Sequence, residues 1–134
     1  MEKNKIMFDT SAYSALLRGH ADIKQAVQEA DEIYLNPVVL GELTAGFIQG
    51  SREKKNRDIL KEFLSSSRVQ VVDIDRETSE RYAAIYTHLR AQGTPIPTND
   101  LWIAATAMQY GLKLLTTDSH FRNIHQIIVV CCEI

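Results

Sequence analysis

The chain has 134 residues, 45% of them hydrophobic and 24% charged, with a formal net charge of −2 at pH 7. That is the size and make-up of one ordinary globular domain, and it argues against a disordered chain. So small a net charge gives no general affinity for nucleic acid, so RNA or DNA would have to be held locally.

The chain opens with "KIMF", a strand signal that stops at Asp9, ahead of Thr10 and Ser11. Helical periodicity follows through Leu16 and Leu17 to Gly19. "ADIKQAVQEAD" puts Ile23, Ala26, Val27 and Ala30 at helical spacing, "EIYLN" reads as a short strand, and Pro37 suits the first turn of a helix "PVVLGELTAGFIQG". "SREKKNRDILKEFL" is a charged helix with Ile59, Leu60, Phe63 and Leu64 as its inner face. "VQVVDI" is strand-like, and "RETSERYAAIYTHLRAQG" is a long amphipathic helix stopped by Gly93. The loop "TPIP" leads into the helix "NDLWIAATAMQY", closed by Gly111. "LKLLTT" and "QIIVV" are strands on either side of a short helical turn, "DSHFRNI".

Strands alternating with helices predict a parallel α/β sheet of about five strands, and continuous apolar strands such as "IIVV" fit a sheet covered on both faces. No repeat or Pro/Gly-rich linker interrupts the pattern, so one domain over residues 1–134 is expected. Residues 1–8 offer only Ile6, Met7 and Phe8 before Asp9, too little for a signal peptide, and "LWIAATAM" and "IIVVCC" are too short to cross a bilayer. A cytoplasmic location without membrane association is expected. The only cysteines, Cys131 and Cys132, are adjacent; on a strand they point to opposite faces and suit neither a mutual disulfide nor a shared metal. Reduced thiols are expected.

Four acids stand out by context. Asp9 and Asp118 each follow an apolar strand, which puts both on the rim beyond the carboxyl ends of the strands, where parallel α/β folds bind ligands. Asp100 heads the helix "NDLWIAATA", and Glu42 is the only charge in "NPVVLGELTAGFIQG". Each has a plain structural explanation: Asp9 and Asp118 can cap helices, Asp100 favours a helix dipole, and Glu42 can face solvent. Gathered at one rim, however, carboxylates repel and raise one another's pKa, a cost that a divalent cation removes. Oxygen ligands suit Mg²⁺ or Mn²⁺ over zinc. His20, His88, His120 and His125 are scattered without zinc-ligand spacing and read as surface or structural.

Other chemistries find no support. There is no Gly-rich phosphate loop ending in Lys-Ser/Thr and no Gly-x-Ser-x-Gly elbow. "SREKKNRD" offers Arg52, Lys54, Lys55 and Arg57 to an RNA backbone, or, balanced by Glu53 and Asp58, is simply a solvated helix face.

"IMFDTSAYSALL", "NPVVLGELTAG" and "PTNDLWIAATAMQYGLKLLTTDSHF" together resemble PIN-domain ribonucleases of the VapC toxin type, over almost the whole chain. The Asp–Leu–Trp–Ile–Ala–Ala block, followed by "TTDSHF", carries most of the specificity. The resemblance implies a three-layer α/β/α PIN-like fold and a Mg²⁺-dependent endoribonuclease, with Mn²⁺ able to substitute. It implies that Asp9, Glu42, Asp100 and Asp118 form the catalytic acidic pocket, that Asp9, Asp100 and Asp118 hold the metal, and that Thr116 supports them. It also implies an RNA substrate, a cognate VapB-type antitoxin and a homodimer. Tyr82, Tyr86 and Trp102 are candidates for the oligomer or antitoxin surface, or for core packing. His120 departs from the pattern, since many relatives place an acid there, and this leaves open how many ligands the Asp118 side supplies.

Two rivals remain. A receiver-like Mg²⁺-binding signalling domain would need a second acid beside Asp9 and a lysine near the last strand; Thr10, Ser11 and "IIVVCCEI" supply neither. A catalytically silent RNA-binding PIN scaffold is disfavoured because all four acids are present.

Overall fold

A computed structural model describes residues 2–133. Five strands form one parallel sheet: β1 (Lys5–Phe8), β2 (Glu32–Leu35), β3 (Val69–Val71), β4 (Lys113–Thr116) and β5 (Val129–Cys131). Their spatial order is β3-β2-β1-β4-β5, so the connections run one way from β1 to β3 and the other way to β4 and β5. The order therefore reverses between β1 and β4, the place where such sheets open a crevice at their carboxyl ends. Phe8 pairs with Leu115 there, and the Asp9 N–H donates to the Leu115 carbonyl at 3.3 Å. Asp9 and Asp118 are thus the residues that leave the two strands flanking the crevice.

Six helices flank the sheet in a three-layer α/β/α arrangement: α1 (Thr10–Leu17), α2 (Ala21–Glu29), α3 (Pro37–Gln49), α4 (Glu53–Leu64), α5 (Arg76–Gln92) and α6 (Thr98–Tyr110). A short 3₁₀ turn covers Ser119–Asn123. Met7, Phe8, Leu35, Leu114 and Leu115 are fully buried, as expected of central strands covered on both faces. Phe63 of α4 stacks on Phe8 (ring centroids 5.7 Å apart) and meets the Tyr13 ring edge-on at 5.5 Å, which pins the charged helix to the sheet. Gly111 ends α6 in the left-handed region (φ +65°), and the Leu112 N–H then reaches back to the Ala107 carbonyl at 2.9 Å. No helix among the described residues is long and apolar enough to cross a membrane.

The strand expected over "QIIVV" begins later, at Val129, and runs into Cys131. The residues before it arrive through a turn, and only the stretch level with Leu114–Thr116 finds hydrogen-bonding partners. Cys131 and Cys132 are both free and half-buried.

One buried side chain fixes the helices that carry two of the acids. Asn36 caps α3, its Oδ1 accepting from the Val39 N–H at 3.1 Å, while its Nδ2 donates to Thr106 Oγ1 at 2.9 Å and to the Trp102 carbonyl at 3.4 Å on α6. It is completely buried. Asn36→Ala removes a cap and the link to α6 together and should cost about 2 kcal/mol of stability. Urea unfolding measures it; a loss below about 0.5 kcal/mol would be surface-like and would remove Asn36 as the link between α3 and α6.

Candidate active site

Asp9 is both a cap and something more. Its Oδ1 accepts from the Ala12 N–H at 2.8 Å, which starts α1 as the capping explanation required. The same carboxylate accepts from Thr116 Oγ1 at 2.6 Å and from Ser11 Oγ at 2.8 and 2.9 Å. Only 4% of Asp9 is exposed. Burial pushes its carboxyl above the ordinary range, the hydrogen bonds from Thr116, Ala12 and Ser11 pull it down, and the Asp118 charge adds to the rise. A cap needs none of this burial.

Thr116 is fully buried at the end of β4 and works in two directions. It donates to Asp9 and accepts from the Asp118 N–H at 2.9 Å, so one hydroxyl fixes both acids beside the crevice. Ser11 reinforces this by accepting the Thr117 N–H at 3.0 Å.

Glu42 lies on the second turn of α3, where its Oε1 accepts from Thr10 Oγ1 at 2.5 Å and its Oε2 from Asn99 Nδ2 at 3.3 Å. Asp100 lies in the first turn of α6. Burial raises its pKa, the negative charges of Glu42 and Asp9 raise it further, and His120 opposes them. Asp9, Glu42 and Asp100 therefore share one electrostatic environment, and Asp118 joins it through Asp9.

The expectation that the histidines are all surface or structural is corrected at His120. Its Nδ1 lies 2.8 Å from Asp118 Oδ1 and its Nε2 2.8 Å from Asp100 Oδ2. The Nε2 atom is buried, and its contact with Asp100 lacks hydrogen-bond geometry. The 3₁₀ turn brings the ring there: Asp118 caps that turn, accepting the His120 N–H at 3.1 Å, and Phe121 is buried beside it. No zinc-like spacing marks His120, because its partners come from α6 and from its own turn. His20 caps α2, and the His88 and His125 rings meet edge to face, 5.7 Å apart.

Thr10 and Ser11 stand out in the sequence only as neighbours of Asp9 at a helix start, and nothing in it marks Asn99, yet all three hydrogen-bond to the acids here. Of the basic run, Lys54 pairs with Asp58 at 2.8 Å and Arg57 with Glu53 at 2.9 Å along the exposed face of α4. Tyr82 packs on Trp102 at 4.3 Å and on Tyr86 at 6.0 Å, and only Tyr86 of the three is exposed.

Comparison with known proteins gives this crevice its context. The PIN domain family model matches residues 6–126. This chain belongs to the PIN-domain family. Among relatives of VapC type, it is 34% identical to Ribonuclease VapC4 of Mycobacterium tuberculosis over 69% of this chain and 72% of that protein. It is 33% identical to Ribonuclease VapC of Rickettsia bellii over 93% of this chain and 94% of that protein. The structure superposes on VapBC2 from Rickettsia felis, solved bound to a DNA fragment from its promoter, with a TM-score of 0.83 and 25% identity over 94% of this chain and 97% of that one.

The donors of this PIN domain fit a hard divalent cation in kind. They are carboxylate oxygens, buried at Asp9, half-buried at Glu42 and Asp100 and exposed at Asp118, and none forms an ion pair with Lys or Arg among the described residues. Their arrangement is not yet a finished shell. Among the described residues no three Asp, Glu, His or Cys side chains surround a common point as ligands would.

Proposed function

We propose that this PIN domain is a divalent-cation-dependent endoribonuclease and the toxin half of a VapBC-type toxin–antitoxin pair. The observation that supports it most is the buried carboxylate of Asp9, anchored on three sides and sharing its crevice with Glu42, Asp100 and Asp118. Relatives named as ribonucleases, aligned over nearly the full chain, supply the reaction class.

Asp9, Asp100 and Asp118 are the residues that would hold Mg²⁺ or Mn²⁺. When bound, the ion supplies Lewis acidity toward the phosphodiester and a water acidic enough to act as nucleophile at neutral pH. The chain's own residues prepare the place. Thr116 and Ser11 hold the Asp9 carboxylate in one orientation, so little reorganisation remains to be done. Thr10 and Asn99 turn Glu42 toward the same crevice, where it can orient a water or accept its proton. Cleavage should yield 5′-phosphate and 3′-hydroxyl ends. Incubating purified protein with total RNA, with Mg²⁺ or Mn²⁺ and then with excess EDTA, and mapping the ends, tests the reading; full cleavage in EDTA overturns it.

The same charge pattern supports an antitoxin partner that inserts an arginine or lysine. Nitrogen atoms of His120 approach Asp100 and Asp118 at 2.8 Å, so the space between these acids admits a nitrogen group, and a guanidinium can pair bidentately with carboxylate oxygens. Exposed Leu17 at the end of α1 and Ile48 in the last turn of α3 offer apolar contact elsewhere on the surface. Antitoxin from the neighbouring gene should bind Asp9→Asn/Asp118→Asn at least about tenfold more weakly than wild type. Equal affinity, measured by titration calorimetry in EDTA, removes the inserted cation from the proposal.

A further inference from the structure

The cluster of acids is not all that the crevice contains; one side chain already stands where a cation would. His120 presents one ring nitrogen to Asp118 and the other to Asp100, each at 2.8 Å, and only 28% of its side chain is exposed. These are two of the three carboxylates assigned above to the metal. Mg²⁺ binds oxygens at roughly 2.0–2.1 Å, so an ion shared by Asp100 and Asp118 must draw both carboxylates onto itself. The imidazole occupies one oxygen of each, Asp100 Oδ2 and Asp118 Oδ1, and an ion that takes those two oxygens has to displace it. This accounts for a crevice with ligands of the right kind and no ready shell among the described residues.

We propose that His120 is a built-in competitor for the cation site: it holds Asp100 and Asp118 in the metal-free protein and must withdraw before a divalent ion bridges them. The inference rests on the metal reading given under Proposed function and adds to it a residue that sets metal affinity. Two features permit the withdrawal. His120 belongs to a short 3₁₀ turn capped by Asp118 through the backbone N–H, a bond that does not involve the imidazole, although the ring also packs on buried Phe121 at 4.7 Å. Its Nε2 contact is also poorly aligned, so little hydrogen bonding is lost when it breaks. The consequence is a nuclease that idles when free metal is low, its acidic ligands kept apart from one another by its own side chain.

The experiment is titration calorimetry of Mg²⁺, and separately of Mn²⁺, into EDTA-stripped wild type, His120→Ala and His120→Gln, with circular dichroism to check folding. Competition predicts that His120→Ala binds both ions about tenfold more tightly than wild type, with His120→Gln between them. If His120 is instead a ligand, His120→Ala binds more weakly, and Mn²⁺ suffers more than Mg²⁺ because an imidazole donor favours the transition metal. That result overturns the proposal, and so does unchanged affinity in both variants. The ¹⁵N resonances of the His120 ring give a readout independent of affinity: saturating Mg²⁺ should move them toward a solvent-exposed imidazole. Wild type that binds metal while the variants match it defeats this inference alone. Wild type and variants that all bind none defeat the metal reading as well.

Discussion

Asp100→Asn should lower Mg²⁺-dependent RNA cleavage by at least about a hundredfold, the scale on which even groups that merely support metal ligands act. Asp9→Asn should do the same by a different route. Asp100 would lose ligand charge at the mouth of the crevice, beside His120, whereas Asp9 is buried at its base and orders the hydroxyls of Thr116 and Ser11. Asparagine keeps the size of each side chain, and at position 9 it keeps an oxygen for the Ala12 N–H, so α1 retains its cap. The loss should therefore appear in turnover and metal dependence, with the thermal midpoint in EDTA preserved. Wild-type turnover by a folded Asp100→Asn protein would remove Asp100 from the reaction.

The fold was legible because its strands are nearly continuous apolar runs and its helices carry punctuation that physics enforces. Gly93 and Gly111 end α5 and α6 with positive φ, and Pro37 opens α3. The less regular segments were harder to read: "QIIVV" looks like five residues of strand, yet strand is decided by a neighbour's free hydrogen bonds, and β4 offers only a short edge to β5. Asp9, Asp100 and Asp118 are legible from their places at strand and helix ends, and Glu42 as the lone charge of an apolar helix. What could not be seen was who meets them. His120 reaches Asp100 across twenty residues of chain, and Asn99 reaches Glu42 across fifty-seven. Contacts of that kind follow from topology, which no local periodicity reports. The capping explanation and the functional one also proved compatible for Asp9, since one carboxylate oxygen caps α1 while the other faces Thr116.

Mg²⁺ should stabilise the wild-type protein by about 2.7 kcal/mol at a hundredfold excess over its dissociation constant, and Asp100→Asn should lose most of that gain. The metal-free proteins carry the sharper sign. The folded-state pKa of Asp100 lies above its ordinary value of 3.8, chiefly through burial and then through the charges of Glu42 and Asp9, despite the opposing His120. A raised carboxyl pKa means that folding disfavours the ionised form. That cost is absent below the unfolded pKa and complete once the pH exceeds the folded one. Near neutral pH in EDTA, Asp100→Asn should consequently match or exceed wild type, and the difference should shrink as the solution is acidified through the carboxylate range. A residue that served only to start α6 would behave in the opposite way, its loss costing about 1 kcal/mol with no response to Mg²⁺. Thermal melts of both proteins, with EDTA and with Mg²⁺ at constant ionic strength, separate the two, and Asp22→Asn in the first turn of α2 controls for the loss of any helix-start charge. Equal Mg²⁺ shifts in wild type and Asp100→Asn would mean that the ion binds elsewhere, and the acidic crevice would lose its part in the chemistry.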